Sequence, residues 1–138
     1  MATFGDADAS YQAAGQREGL ESLVEAFYRH MDTLPEAGII RDMHDPDLTL
    51  SIEKLIVFLS GWLGGPREYA TTFGPIRIPP AHAHLDIDEP ERDAWMLCMS
   101  RAVAEQTEWA DDFKAYFLRQ IAVPAERVRQ ASVMRRSQ

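Results

Sequence analysis

Residues 74–99, GPIRIPPAHAHLDIDEPERDAWMLCM, carry the most informative pattern in the chain, a proline-rich connector that leads into a capped helix. Its prolines exclude a regular helix before His82, because proline has no backbone N–H to donate. Asp88 followed three residues later by Glu91 is typical of a capping box, and Pro90 suits the first helical turn. The connector therefore brings a histidine to the start of a helix, which is a sensible place for a ligand.

The helix after the connector should bury one side, since its apolar positions recur at helical spacing: Ala94, Trp95, Cys98, Met99, Ala102 and Val103. A tryptophan on such a stripe is ordinarily part of the core, and no neighbour of Cys98 would activate its thiolate. His82 and His84 form a His-x-His pair, which is more often structural than functional. Asp86 would nevertheless permit a carboxylate-assisted metal site beside them.

Composition indicates a single globular domain with a real core, since the chain has 138 residues and 46% of them are hydrophobic. The net charge of −8 argues against nucleic acid or an anionic membrane as a partner. The single cysteine excludes an intramolecular disulfide and favours a reducing compartment. The N-terminus has no signal-peptide pattern, and the apolar run at residues 55–63 is too short to span a bilayer. A cytoplasmic location is expected.

Further helices are predicted on both sides of the connector. The first has apolar residues at i, i+3, i+4 and i+7 spacing, namely Leu20, Leu23, Val24, Phe27, Tyr28 and Met31. The second begins near Thr49 or Ser51 and runs to Leu63, where residues 64–66 (Gly-Gly-Pro) stop it. The last carries Trp109, Phe113, Tyr116, Phe117 and Ile121 in register.

Pro124 should kink or end the last helix. No strand-like alternation and no internal repeat is present, so the class is all-α. We expect one domain over residues 1–138, with a loose N-terminal segment at 1–10 and a polar tail at 130–138.

Taken together, these stretches resemble the truncated hemoglobins, and within them the second group. The resemblance covers residues 11–129, and its most specific pieces are the Gly-Gly-Pro stop and the capped helix with its tryptophan. The matching elements, in chain order, are Phe27-Tyr28-Arg29, Leu34 to Ala37, Ile40 to His44, Glu53 to Pro66, His82 and Glu91 to Met99. The resemblance implies a truncated globin-like two-over-two helical sandwich that encloses haem b.

The resemblance also implies which residues would hold the haem. Counting forward from the glycine pair, or back from Trp95, places the family's proximal iron ligand on His82 in both cases. A neutral imidazole is a good axial donor to haem iron. His84 falls where the family usually has proline. The group commonly has arginines just before the proximal histidine, and here those positions are Pro79 and Ala81, so Arg77 and Lys54 are the expected partners of the haem propionates.

On the distal side, the resemblance matches Tyr28 to the family's distal tyrosine and Trp95 to the group's distal tryptophan. His44 takes the variable position at the distal corner. These three side chains offer an O–H and two N–H groups to a polar ligand. Ser51 and Leu55 take the distal-helix positions that face the ligand, and Leu55 together with Phe58 keeps the site apolar.

Two classes of function stay open. The first is a haem protein that binds O₂, or NO, CO or sulfide, and serves oxygen transport or sensing, or turns over as an NO dioxygenase or peroxidase. No reductase domain is evident in the sequence, so turnover would need an external electron donor. The second is a haem-free helical interaction module, or a non-haem metal site built from His82, His84 and Asp86. The sequence does not determine whether the protein is an enzyme, or its oligomeric state.

Overall fold

The computed structural model describes residues 3–69, 72 and 87–136, with side chains as far as residue 134. Its helices are α1 (Ala9–Ala13), α2 (Gln16–Thr33), α3 (Gly38–Arg41), α4 (Thr49–Trp62), α5 (Glu89–Ala104) and α6 (Asp111–Arg136), with a 3₁₀ turn at Pro35–Ala37. None of the described residues forms a strand, which confirms the all-α prediction. Nor is any helix among them both long and apolar enough to cross a membrane.

Helix α2 lies at the centre of the packing. It contacts both α4 and α5, and α5 contacts α6 in turn. The result is two helix pairs, α2 with α4 and α5 with α6, that meet along α2 and α5. The predicted apolar face of α2 is confirmed, because all six of its members are buried: Leu20, Leu23, Val24, Phe27, Tyr28 and Met31. Burial of one such side chain contributes roughly 1.5–3 kcal/mol, so tertiary packing stabilises this helix.

The described residues of the N-terminal segment pack over the core, although the sequence predicts a loose segment at residues 1–10. The ring of Phe4 contacts those of Phe113 and Tyr116, with 5.2 Å between centroids in each pair. Buried Ser10 accepts a hydrogen bond from the N–H of Gly5 at 2.9 Å. The polar composition of the segment predicted looseness, and a single aromatic anchor on a distant helix outweighs it.

The glycine pair that follows α4 also allows the N-terminal segment to pack closely against it. Gly64 has a φ of +92°, and a Cβ added there would lie 2.0 Å from the carbonyl oxygen of Ala7. A Cβ added at Gly65 would lie 2.6 Å from the ring of Tyr11. The N–H of Tyr11 donates to the carbonyl of Leu63 at 3.1 Å. The predicted stop is confirmed, and close backbone approach is a second reason for glycine at both positions.

Helix α5 begins as the sequence predicts. Asp88 is its N-cap and accepts a hydrogen bond from the N–H of Glu89 at 2.9 Å. The carboxylate of Glu91 accepts from the N–H of Asp88 at 2.7 Å, which completes the capping box. These bonds satisfy N–H groups that the helix itself leaves without partners. The start of α5 is therefore a well-defined point at the end of the connector.

Helix α6 continues through Pro124 to Arg136. The sequence predicted either a kink or an end at Pro124, and the structure excludes the end, although proline has no backbone N–H to donate to the preceding turn. Packing holds it on both sides: Ile121 is buried before the proline, and Ser132 is buried after it. The predicted polar tail is thus helical as far as Arg136. Trp109, predicted within the last helix, lies buried just before it.

Substitution at the glycine pair tests the contact with Tyr11. Gly65→Ala should lower the free energy of unfolding by about 1–3 kcal/mol, because its Cβ collides with the Tyr11 ring. Gly38→Ala is the matched control: nothing lies within 4 Å of an added Cβ there, so it should stabilise by about 0.4–1 kcal/mol. Urea denaturation measures both. Equal stability of Gly65→Ala and the wild-type protein would show that Tyr11 does not pack on this glycine.

Candidate functional site

Tyr28 lies on the inner side of α2, with only 7% of its surface exposed. Its ring contacts that of Phe27 edge-on, with 5.0 Å between centroids. Burial raises the pKa of the Tyr28 hydroxyl above its ordinary value of 10, because a phenolate here would lose its hydration. The hydroxyl therefore stays protonated at neutral pH and acts as a hydrogen-bond donor.

Trp95 lies on α5, half-buried against the core. Its ring also contacts that of Phe27 edge-on, with 5.1 Å between centroids and 60° between planes. Phe27 is fully buried and so links Tyr28 on its own helix to Trp95 on another. The structure thereby brings together, through one apolar ring, two of the residues predicted for the site.

The Tyr28 hydroxyl and the Trp95 indole N–H have no protein partner in the described part of the chain. Trp109 behaves differently, since its indole N–H donates to the carbonyl of Ala14 at 2.9 Å. Among the described residues, every fully buried side-chain polar atom has a hydrogen-bond partner. Because the Tyr28 hydroxyl and the Trp95 indole N–H have none, both donors must be accessible from outside the packed core. Two donors on different helices are therefore available to a bound molecule.

His44 lies just after α3, with its ring 5.8 Å from that of Tyr28 between centroids. Its Nδ1 is 2.8 Å from the carbonyl oxygen of Ile40. A carbonyl oxygen can only accept, so Nδ1 carries the proton and donates to Ile40. In the neutral ring, Nε2 is then an acceptor. In the neutral form, the only N–H of the His44 ring therefore donates to the backbone, although the sequence predicted it as a donor to a polar ligand.

The remaining predicted distal residues lie on α4. Ser51, Leu55 and Phe58 are all half-buried, and Leu55 and Phe58 pack against the core. The Phe58 ring stacks on that of Trp62, with 6.2 Å between centroids. Lys54 is exposed on the same helix. Positions 51, 55 and 58 share one face of a helix, so α4 presents a mostly apolar surface that a planar cofactor can contact.

The predicted proximal residues lie outside the described residues. These are Arg77, His82, His84 and Asp86, together with Pro79 and Ala81 in the same connector. Among the residues that are described, no group of three or more His, Cys, Asp and Glu side chains could hold a metal ion. Cys98 is fully buried as predicted, and burial raises the pKa of its thiol to about 11, so it is not an activated thiolate.

Sequence reasoning missed two features near the site. One is the carbonyl of Ile40, which fixes the tautomer of His44. The signal that could have indicated this bond is the position of His44, four residues after Ile40 at the end of a helix, where a histidine can donate to a free carbonyl. The other is a hydrogen bond from the N–H of Ile87 to the hydroxyl of Ser132, a residue 45 positions later. No local sequence pattern predicts that bond, because only the tertiary fold brings Ile87 and Ser132 together.

Comparison with known proteins agrees with the fold. The family model described as bacterial-like globin matches residues 9–125. The chain is 32% identical over 96 residues to Group 2 truncated hemoglobin YjbI of Bacillus subtilis (strain 168), and the match covers 70% of each chain.

Two solved structures extend that comparison. The group II 2-on-2 hemoglobin of Agrobacterium tumefaciens is 34% identical with a TM-score of 0.81, covering 86% of this chain and 92% of that one. The cold-adapted truncated hemoglobin of Pseudoalteromonas haloplanktis TAC125 is 27% identical with a TM-score of 0.82, covering 86% and 95%.

The helix pairs and these likenesses define a two-over-two helical globin fold, as predicted. The chain belongs to the bacterial-like globin family and, within it, to the group II truncated hemoglobins. Haem iron is accordingly its cofactor. The described residues fit that cofactor, because accessible donors at Tyr28 and Trp95 accompany the apolar side chains of Leu55 and Phe58. A haem pocket needs this combination of apolar lining and few polar groups.

The raised pKa of Tyr28 predicts a pH effect on stability. Above pH 10 an unfolded chain ionises this tyrosine while the folded chain does not, so the free energy of unfolding falls as pH rises. One such group adds a slope of up to about 1.4 kcal/mol per pH unit. Tyr28→Phe should lack that part of the slope. Urea denaturation of both haem-loaded proteins between pH 8 and 12 measures it, and parallel curves would contradict the raised pKa of Tyr28.

Proposed function

We propose that this protein binds O₂ reversibly at a haem iron that His82 would hold, with Tyr28 and Trp95 as hydrogen-bond donors to the ligand. NO, CO and sulfide are further ligands of the same site. Bound haem supplies the iron atom that takes diatomic ligands. The single observation that carries the proposal is the pair of accessible donors held on either side of Phe27.

The two donors would slow release of a polar ligand. Each hydrogen bond to a partly charged ligand contributes about 1.5–3 kcal/mol, which is roughly a ten- to hundredfold change in dissociation rate. The donors are placed by different helices but share one packing partner, so their effects should be coupled and not simply additive. His44 acts as a third, tuning member, because its ring lies edge-on to that of Tyr28.

On the proximal side, His82 is proposed as the iron ligand because two independent spacings in the sequence reach the same residue. Arg77 and Lys54 are proposed to pair with the haem propionates in place of the arginines common in this group. Exposed pairs of this kind are worth only ~0–1 kcal/mol each, so they would slow haem loss modestly. We further propose that the protein works in the cytoplasm, in keeping with its single cysteine.

Replacing each connector histidine in turn tests the proximal assignment. His82→Ala should abolish the five-coordinate ferrous absorption spectrum, because the iron loses its axial imidazole. His84→Ala is the matched control, two residues away, and should keep that spectrum. The reverse result would overturn the alignment of the whole connector.

Replacing the distal donors tests the polar side of the pocket. Tyr28→Phe and Trp95→Phe should each raise the O₂ dissociation rate roughly ten- to hundredfold, and the double variant should deviate from the product of the two effects. Release of CO, a less polar ligand when bound, should change much less. Stopped-flow measurements of O₂ and CO release from the wild-type protein and the three variants give these rates.

The control for these variants is Tyr116→Phe, which removes a hydroxyl from α6 beside Phe4, far along the chain from the site. It should leave O₂ release unchanged. Wild-type rates in both Tyr28→Phe and Trp95→Phe would show that these side chains pack without bonding to the ligand.

A further inference from the structure

Aromatic rings in contact form a continuous path from α4 to the N-terminal segment. The path begins at Phe58, on the face of α4 that we propose for the haem, and its ring stacks on that of Trp62. The centroids of successive rings lie between 4.8 and 6.2 Å apart, so the path has no break. We call these rings the aromatic chain, and in order of contact they are Phe58, Trp62, Phe117, Trp109, Phe113 and Tyr116.

The order of side chains in the aromatic chain suits electron transfer. Tryptophan and tyrosine lose an electron far more readily than phenylalanine does, and here the two kinds of ring alternate. Phe117 contacts both Trp62 and Trp109. Phe113 contacts both Trp109 and Tyr116. Because electron transfer slows steeply with distance, short steps across one phenylalanine ring are faster than a single long step. Packing alone does not require this order, since a core tolerates other apolar side chains of similar volume.

Trp109, in the middle of the aromatic chain, can hold a positive charge briefly. Its indole N–H donates to the carbonyl oxygen of Ala14 at 2.9 Å, and such a bond favours the charged form of the ring. Trp109 is buried, and its neighbours Phe113 and Phe117 are fully buried. Water is therefore kept from the oxidised ring, which passes its charge on to the next side chain.

Tyr116 brings the aromatic chain to the surface. It is half-buried, with its ring held by Phe113 at 6.2 Å and by Phe4 at 5.2 Å between centroids. Its hydroxyl has no hydrogen-bond partner in the described part of the chain, and it is not sealed from solvent. An oxidised Tyr116 can therefore release its hydroxyl proton to water.

We propose that the aromatic chain carries one-electron oxidation from the haem pocket to Tyr116, which then oxidises a small phenol at the surface. The proposal rests on the proposed function in one respect, that Phe58 faces the haem. Bound haem supplies the electron exchange with the oxidant, which we take to be H₂O₂. Phenols of this kind need not enter the pocket between Tyr28 and Trp95.

The electrons and protons of this reaction balance over two turns. Reduction of one H₂O₂ to two water molecules takes two electrons and two protons. In each turn Tyr116 gives one electron to the aromatic chain and its hydroxyl proton to water. One phenol then returns a hydrogen atom to the Tyr116 oxygen. One H₂O₂ and two phenols thus become two water molecules and two phenoxyl radicals.

Azide radicals test the aromatic chain without using the haem reaction, because they oxidise tryptophan directly. They are generated by pulse radiolysis of the haem-loaded protein in azide, and a nitroso spin trap marks the side chains that hold a radical. Peptide mass spectrometry should locate the adduct on Tyr116. Tyr11 is the internal control, since it is also half-buried but contacts no other ring among the described residues. Trp109→Phe should reduce the Tyr116 adduct to the level on Tyr11.

H₂O₂ then tests the connection to the haem pocket in the same haem-loaded protein. The adduct should again form on Tyr116, and Trp62→Phe should remove it. Tyr116→Phe keeps the ring and its packing, so it serves should Trp109→Phe fail to fold, and the adduct should then move to Trp62 or Trp109.

The two oxidants separate the ways in which the proposal can fail. With azide radicals, equal adducts on Tyr116 and Tyr11, or a Tyr116 adduct that persists in Trp109→Phe, would overturn the aromatic chain whether or not haem is bound. An adduct on Tyr116 with azide radicals but not with H₂O₂ would overturn the connection to the pocket, and the proposal with it. A protein that retains no haem would instead overturn the proposed function, while the azide result would stand.

Discussion

The packing of Phe27 between Tyr28 and Trp95 is the contact on which the site depends. Its ring is fully buried and meets both neighbours edge-on at 5.0 and 5.1 Å. Because α2 and α5 belong to different helix pairs, the same ring lies where the two halves of the fold meet. Aromatic rings favour this edge-on arrangement, so each limits the rotation of the next. The apolar ring of Phe27 therefore helps to position two polar groups, the Tyr28 hydroxyl and the Trp95 indole N–H.

Much of the fold could be predicted from the sequence, because several elements carry their own signals. The apolar spacing of α2, the capping box at Asp88 and the glycine pair after α4 each depend on residues close together in the chain. What could not be predicted depends on distant contacts. Phe4 meets Phe113, and Ser132 meets Ile87, only when the chain is folded. Local propensity predicts that a helix ends near a proline such as Pro124, but packing before and after it allows α6 to continue.

The candidate site divides in the same way. Tyr28 and Trp95 were found through a resemblance that several ordered motifs support, and the structure links them through Phe27. The tautomer of His44 could not be predicted from the residue type, because the carbonyl of Ile40 decides which ring nitrogen carries the proton. This bond changes the expected chemistry of the distal corner. A neutral His44 accepts at Nε2, so the Tyr28 hydroxyl and the Trp95 indole remain the donors.

We propose that a haem held by one protein side chain binds O₂ beside these donors. Absorption spectra of the purified protein in ferric, ferrous and oxygenated forms, with haem quantified per chain, test it most directly. We expect one haem per chain, a five-coordinate ferrous spectrum, and an oxygenated spectrum that persists in air because two donors hold the ligand. A protein that retains no haem, or a ferrous form that does not combine with O₂, would contradict it.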